Sequence, residues 1–286
     1  MKFITISDAC KQVGVSYLGG INISSKMLKN KKISHNYTYI LYLSPAKTSG
    51  YNVCNNSTSE CRLGCLATSG HAAMDLISNA NIIKNTRIKK TRLFFEETSF
   101  FMQWLIAEIK IYQNKAKKDG YSFSVRLNGT SDIDWSKIFI NGKNIFEIFK
   151  NVQFYDYTKQ ISKFNEKPNN YHLTYSYTGL NWNNCKILLE HGVNVAVVFN
   201  VKKNKKLPET FENYKVFDGD LTDYRINDTK GIIIGLKFKE IADKQVSNQL
   251  KQKGLFVVQP NDIRCNNIKD NVQVNENIYI DELELV

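Results

Sequence analysis

The chain has 286 residues, 42% of them hydrophobic, and 39 Lys and Arg against 27 Asp and Glu give it a formal charge of +12. That length buries a substantial core without disulfides or metals as staples. A mean hydropathy of −0.36, with no apolar run near the ~18–20 residues a bilayer requires, excludes a membrane-spanning helix.

The N-terminus lacks the apolar core and small-residue cleavage site of a signal peptide. A cytoplasmic, reducing location is therefore expected, where clustered cysteines serve as metal ligands or catalytic groups rather than disulfides. Residues 1–35 read as an N-terminal extension, with Lys26, Lys29, Lys31 and Lys32 among Ser, Gly and Asn. One domain is expected over 36–265. Residues 266–286, acidic and apolar by turns, read as a C-terminal tail or an edge strand. The aromatic and β-branched stretch 37–43 predicts a strand, closed by Ser44-Pro45. The polar loop 51–71 follows, and then a helical pattern over 72–117 that breaks at Thr91 or between Glu97 and Ser99. Within it, 84–92 is strongly basic, either a solvated helix face or a phosphate contact.

Further strands are predicted at 121–127, 151–157, 171–177, 193–199, 214–217, 231–236 and 255–258. Helices are predicted at 138–149 and at 181–191, the second stopped by Gly192. Strands alternating with helices at this spacing predict an α/β fold with a parallel sheet, either a partial or a closed (β/α) barrel. Such folds hold their chemistry in the loops after the strands. No Gly-rich dinucleotide fingerprint and no Walker loop is present.

Cys54, Cys61 and Cys65, three of the six cysteines, lie within the loop at spacing C-x6-C-x3-C. Thiolates are soft ligands that select zinc, copper(I) or iron–sulfur clusters. A closed zinc site needs a fourth ligand, and the candidates are His71, Cys265 and Cys10. Without one, three thiolates on three irons of a four-iron cluster leave the fourth iron open. Two readings that involve no site remain: loop thiols without a shared role, and Cys265 as a structural cysteine. His35, His172 and His191 form no metal-binding pair. Asp218, Asp220 and Asp223 are either a cation cluster or a solvated turn.

The stretch 47–70 with its three cysteines resembles the cysteine loop of the bacteriophage gene product 88 family. Val125-Arg126-Leu127 leading into Gly129-Thr130-Ser131-Asp132 is similar to that family's strand and small-residue motif. Phe154-Tyr155-Asp156-Tyr157-Thr158-Lys159 is similar to its aromatic strand. Asp218 to Arg225 with Gly231 to Lys237 is similar to its C-terminal segment, so that the likeness covers about 38–240. The family in turn resembles radical S-adenosylmethionine enzymes, whose usual cysteine spacing, CxxxCxxC, is tighter than the one here. That resemblance implies a radical-SAM-like barrel with a [4Fe-4S] cluster on Cys54, Cys61 and Cys65. It also implies S-adenosylmethionine held at the strand ends by Asn128, Gly129, Thr130, Ser131, Asp132, Tyr157 and Lys159. For the Gly129 motif an ordinary strand-to-helix turn is the alternative, and for Lys159 an exposed strand end.

The expectation is thus a phage-type iron–sulfur protein in the cytoplasm (the host cytoplasm if phage-encoded). Its partner would be a nucleotide or nucleic acid, which the basic charge favours, and not a membrane. Whether it is an enzyme stays open. The alternative is a non-catalytic, zinc-stabilised nucleic-acid-binding protein.

Overall fold

Alternation within each strand decides which side chains face the helices. The computed structural model describes residues 1–265, so the expected tail at 266–286 lies outside the described residues. In chain order the strands used below are β1 Gly19–Gly20, β2 Asn36–Leu41, β3 Ser122–Arg126, β4 Gln153–Thr158, β5 Tyr171–Ser176, β6 Val195–Phe199, β7 Thr210–Phe211, β8 Tyr214–Asp218, β9 Ile233–Lys237 and β10 Val257–Val258. The helices are α1 Ile6–Val13, α2 Ser25–Ile33, α3 Ser59–Leu63, α4 His71–Ile77, α5 Ile82–Glu96, α6 Thr98–Asp119, α7 Ile145–Ile148, α8 Trp182–Glu190 and α9 Lys244–Lys253.

Tyr37, Tyr39, Leu41, Val125, Phe154 and Leu173 point to one face and pack on Trp104, Leu105 and Ile109 of α6. Further along the sheet, Tyr175, Val195, Val197 and Ile233 pack on Cys185, Leu188 and Leu189 of α8. The intervening residues point the other way, and many are polar: Asn36, Thr38, Ser124, Arg126, Tyr155, Tyr157, Thr174 and Ser176. One face is thus a helix-covered apolar core. The other is a polar inner face.

The sheet runs β1-β2-β3-β4-β5-β6-β9-β8-β7. From β2 to β8 every neighbouring pair is parallel, whereas β1 and β7 add antiparallel edges. The ladder of β5 on β6 stops at Ser176 and Ala196, and β10 continues beside β6 at Val198 and Phe199. Among the described residues β1 and β7 do not pair, so the sheet is open. The closed-barrel alternative is therefore corrected: strand pairing ends at two short antiparallel edges instead of closing on itself.

Contacts at both ends of the strands link the two edges across the inner side. Asn30 of α2 accepts from the backbone of Asp223 at 3.0 Å and from the Thr222 hydroxyl at 3.1 Å. At the other end of the strands Ser69 bridges Ile241, and the Ala242 amide donates to the Thr68 carbonyl at 2.9 Å.

Residues 1–35 carry α1, β1 and α2, and Ala9, Leu18 and Met27 are buried. Glu108 of α6 docks this stretch by accepting from the amides of Leu18 and Gly19, the Tyr39 hydroxyl and the Trp104 indole at 2.7–3.0 Å. The helical pattern over 72–117 breaks at Glu97, as expected, and again at 78–81, where Asn79 and Asn81 take positive φ. The helix expected over 138–149 is corrected to a hairpin with the short α7 behind it. Its cause is Asn141-Gly142, whose φ angles of 51° and 75° make the tight turn that this dipeptide favours.

Candidate functional site

The cysteine loop lies at the C-terminal ends of the parallel strands because β2 delivers it there. Thr58 caps α3 by accepting from the Cys61 amide at 3.2 Å, and Gly64 ends the helix. Cys61 therefore lies within α3 and Cys65 just past its end, while Cys54 comes from the preceding turn. A cavity of about 190 Å³ opens beside them. Its wall takes in Cys54, Cys61 and Cys65 from the loop, Asn128 to Asp132 after β3, and Tyr157 and Lys159 at the end of β4. All ten residues singled out from the sequence line this one cavity.

Their side chains are not equally free to meet a ligand. Asn128 accepts from the Ser131 hydroxyl at 2.8 Å, the Ile133 amide at 3.0 Å and the Trp135 indole at 3.2 Å. The Thr130 hydroxyl donates to the Leu43 carbonyl at 2.5 Å. Asp132 accepts from Thr158 at 2.7 Å, from the Lys159 amide at 2.9 Å and from the buried Lys163 ammonium at 2.7 Å. The segment is therefore a braced turn that offers the cavity mainly backbone. Gly129 is required there by close approach: a Cβ would stand 2.6 Å from the Tyr42 ring and 2.7 Å from the Leu41 carbonyl.

The thiols sit in a mixed field. Burial pushes the Cys65 thiol up to about 11 and raises Cys54. Burial works against the charge of Lys159, but Cys61, Asp132 and Cys54 around it hold its ammonium above the usual lysine range, with a hydrogen bond to Cys61. Arg87 of α5 lies within electrostatic reach of Cys65 and stacks on Tyr42 at 4.9 Å. The basic stretch 84–92 is thus not a solvated face throughout. Lys90 is buried, donates to the Leu18 carbonyl at 2.8 Å, and is lowered by burial to about 8.

Sequence reasoning missed the floor of the cavity. Arg126 ends β3 on the inner face, only 6% exposed. It pairs with Asp223 at 2.5 Å and lies 4.8 Å over the Tyr157 ring. Lys237, Phe238 and Lys239 after β9, with Ser176, Tyr177 and Asp220, complete the lining. The available signal was inside–outside alternation, which puts Arg126 and Tyr157 on one face. Asp218, Asp220 and Asp223 are neither a cation cluster nor a solvated turn. Asp218 pairs with Lys237 at 3.0 Å, Asp220 accepts from the Lys237 amide at 2.9 Å, and Asp223 is buried on Arg126.

The three candidates for a fourth ligand stand elsewhere. His71 opens α4, Cys10 donates to the Ser16 carbonyl at 3.2 Å, and Cys265 is buried beside Phe211. Among the described residues no three His, Cys, Asp or Glu side chains converge on a point that would hold a single metal ion.

This arrangement defines an α/β protein with a mostly parallel sheet and a thiol-lined cavity at the carboxyl ends of its strands. The profile of the gene product 88 family matches residues 21–255, and the chain belongs to that family. No curated protein and no solved structure matches it.

Proposed function

We propose that the chain is an iron–sulfur protein of radical-SAM-like architecture, with its cluster on Cys54, Cys61 and Cys65. The observation that carries this reading is that the three thiols share one cavity with the loops after β3 and β4. In this reading the open sheet from β2 to β9 is a partial barrel of six parallel strands in sequential order, with β8 added outside.

The donor set fits the group. Three soft thiols without a fourth protein donor suit a four-iron cluster with one open iron better than closed zinc. Three sulfurs on three separate irons also need not converge on a point, as the ligands of one ion must. When bound, the cluster would supply an electron and an open coordination position. The chain's own residues would do the rest. Lys159, beside Cys54, Cys61 and Asp132, would meet the carboxylate of S-adenosylmethionine. The backbone of 128–132 would meet its polar groups, with Gly129 permitting the approach. Arg126, fixed by Asp223 and Tyr157, would orient an anionic group from the floor.

Protein purified without oxygen should be brown and carry about four irons and four sulfides per chain. Cys54→Ala, Cys61→Ala and Cys65→Ala should each lose most of that iron while retaining the fold. A colourless protein with one zinc per chain would overturn the reading.

A further inference from the structure

We propose that the rim of the cavity beside β6 and β9 is a docking surface for single-stranded nucleic acid, which presents one nucleotide of the strand to the cavity mouth. The inference adds a substrate class to the proposed function. It rests on that reading only for what happens to the nucleotide, not for binding.

The loop 200–207 follows β6 directly, and Ala196 and Val198 of that strand line the cavity. It reads Asn-Val-Lys-Lys-Asn-Lys-Lys-Leu, so Lys202, Lys203, Lys205 and Lys206 fall within five positions with no carboxylate among them. All four are exposed. Most such runs are simply solvated, but this one is tied to the site: the Lys237 ammonium, part of the cavity wall, donates to the Lys203 carbonyl at 3.3 Å. Of the two carboxylates on that wall, Asp132 is paired with Lys163 and Asp220 accepts from the Lys237 backbone amide, while the Lys237 ammonium pairs with Asp218 behind the wall. Basic side chains thus run from the rim lysines past Lys237 and Lys239 to Lys159 inside, and among the described residues Asp220 is the one carboxylate of the wall that no ammonium meets.

A lone nucleotide would have no use for four lysines beyond the mouth, whereas a strand places successive phosphates along them. Half-buried Phe238, between Lys237 and Lys239 on the lining, offers a ring on which a base can stack. A base within a duplex must be unpaired and unstacked before it can enter a recessed cavity, a cost that a single strand does not carry. A bilayer fits less well, because the only apolar residues of the loop are buried Val201 and half-buried Leu207, leaving none to insert.

The test is fluorescence anisotropy with labelled 20-nucleotide oligothymidylate and oligouridylate, a 20-base-pair duplex, and phosphatidylserine vesicles, between 50 and 200 mM salt. Single strands should bind more tightly than duplex, with affinity falling steeply as salt rises. Replacing Lys202, Lys203, Lys205 and Lys206 together by Gln should weaken binding at least tenfold at 50 mM salt. It should also flatten the log–log salt slope by about 0.7 for each lysine that contacts a phosphate. The triple control Lys110→Gln, Lys117→Gln and Lys118→Gln, on exposed positions of α6, should bind as the parent does. An unchanged slope in the rim variant, preference for duplex, or binding to vesicles alone would each overturn the proposal. Iron content and thermal unfolding of the same samples separate its failure from failure of the cluster reading and from misfolding.

Discussion

Lys163 shows how much of the apparent binding motif is structural. Its ammonium is 7% exposed as a residue and is held between the Asp132 carboxylate at 2.7 Å and the Ile133 carbonyl at 2.9 Å. Lys163→Met leaves Asp132 buried without its cation, and urea denaturation should show a loss of about 3–5 kcal/mol. His172, on the inner face of β5, gives a pH dependence. Burial, reinforced by Lys167, Arg225 and Lys230, lowers it to about 4, whereas an unfolded histidine titrates near ~6.5. Between those values the unfolded chain takes up a proton that the folded chain refuses, so stability falls as pH drops through the window. His172→Gln should therefore gain on the parent in urea midpoint between pH 7 and pH 5. Asp156 has the opposite sign: burial raises it to about 6 despite Arg126. The folded chain then holds a proton that the unfolded chain has released, which costs stability as pH rises from ~4 towards 6. Residue type and spacing in the sequence picked out Cys54, Cys61 and Cys65, and the family resemblance picked out the other seven positions that meet at the cavity. They did not show that Asn128, Thr130 and Asp132 would turn inward on their own loop, because that depends on partners such as Leu43, Trp135 and Lys163 that come from other elements.

Among the elements, strands were the most legible. The expected strand at 171–177 is observed at Tyr171–Ser176, and the one at 193–199 at Val195–Phe199, because apolar, β-branched runs between turn residues have few alternatives. The N-terminal stretch was read as an extension because it lacks long-range periodicity, yet Thr5 caps α1 by accepting from the Asp8 amide at 3.2 Å and Gly14 closes it at φ 67°. Those local caps were present in the sequence. The contact that makes the stretch part of the core, Glu108 of α6, lies some 90 residues away and was not. Glu108→Ala would leave four buried donors without an acceptor, each costing about 1–3 kcal/mol. Limited trypsin digestion of that variant should cut after Lys11 well before the parent is touched. Gly129→Ala tests the turn after β3: its methyl group would press on Tyr42 and the Leu41 backbone, and thermal unfolding should fall by several degrees.

At the scale of the whole molecule, parallel alternation was readable from the sequence and openness was not. Whether a parallel sheet closes depends on what its two end strands meet. Here one end meets the Gly19–Gly20 edge and the other the short strand Thr210–Phe211. The polar inner face follows from the same alternation that builds the core. Asn36 reaches Ser124 at 2.7 Å, and Asn30 reaches Tyr155 at 3.0 Å. This pairing of neutral polar groups lets a buried surface stay hydrophilic under the cavity.

The contact of Thr68 and Ser69 with Ile241 and Ala242 has a consequence for ligand binding. It is one clasp of a bracelet that Asn30 and Arg126 also fasten through Thr222 and Asp223, and the segment that forms it is the one that bears the thiols. A ligand gripping Cys61 or Cys65 from one side and Phe238 or Lys239 from the other fastens that clasp as it binds. Occupancy should then raise the melting temperature of the entire chain in a single transition, by an amount that follows ligand concentration over Kd. A ligand that protected only 51–71 from protease, with 238–256 still cut, would show that the two halves open independently.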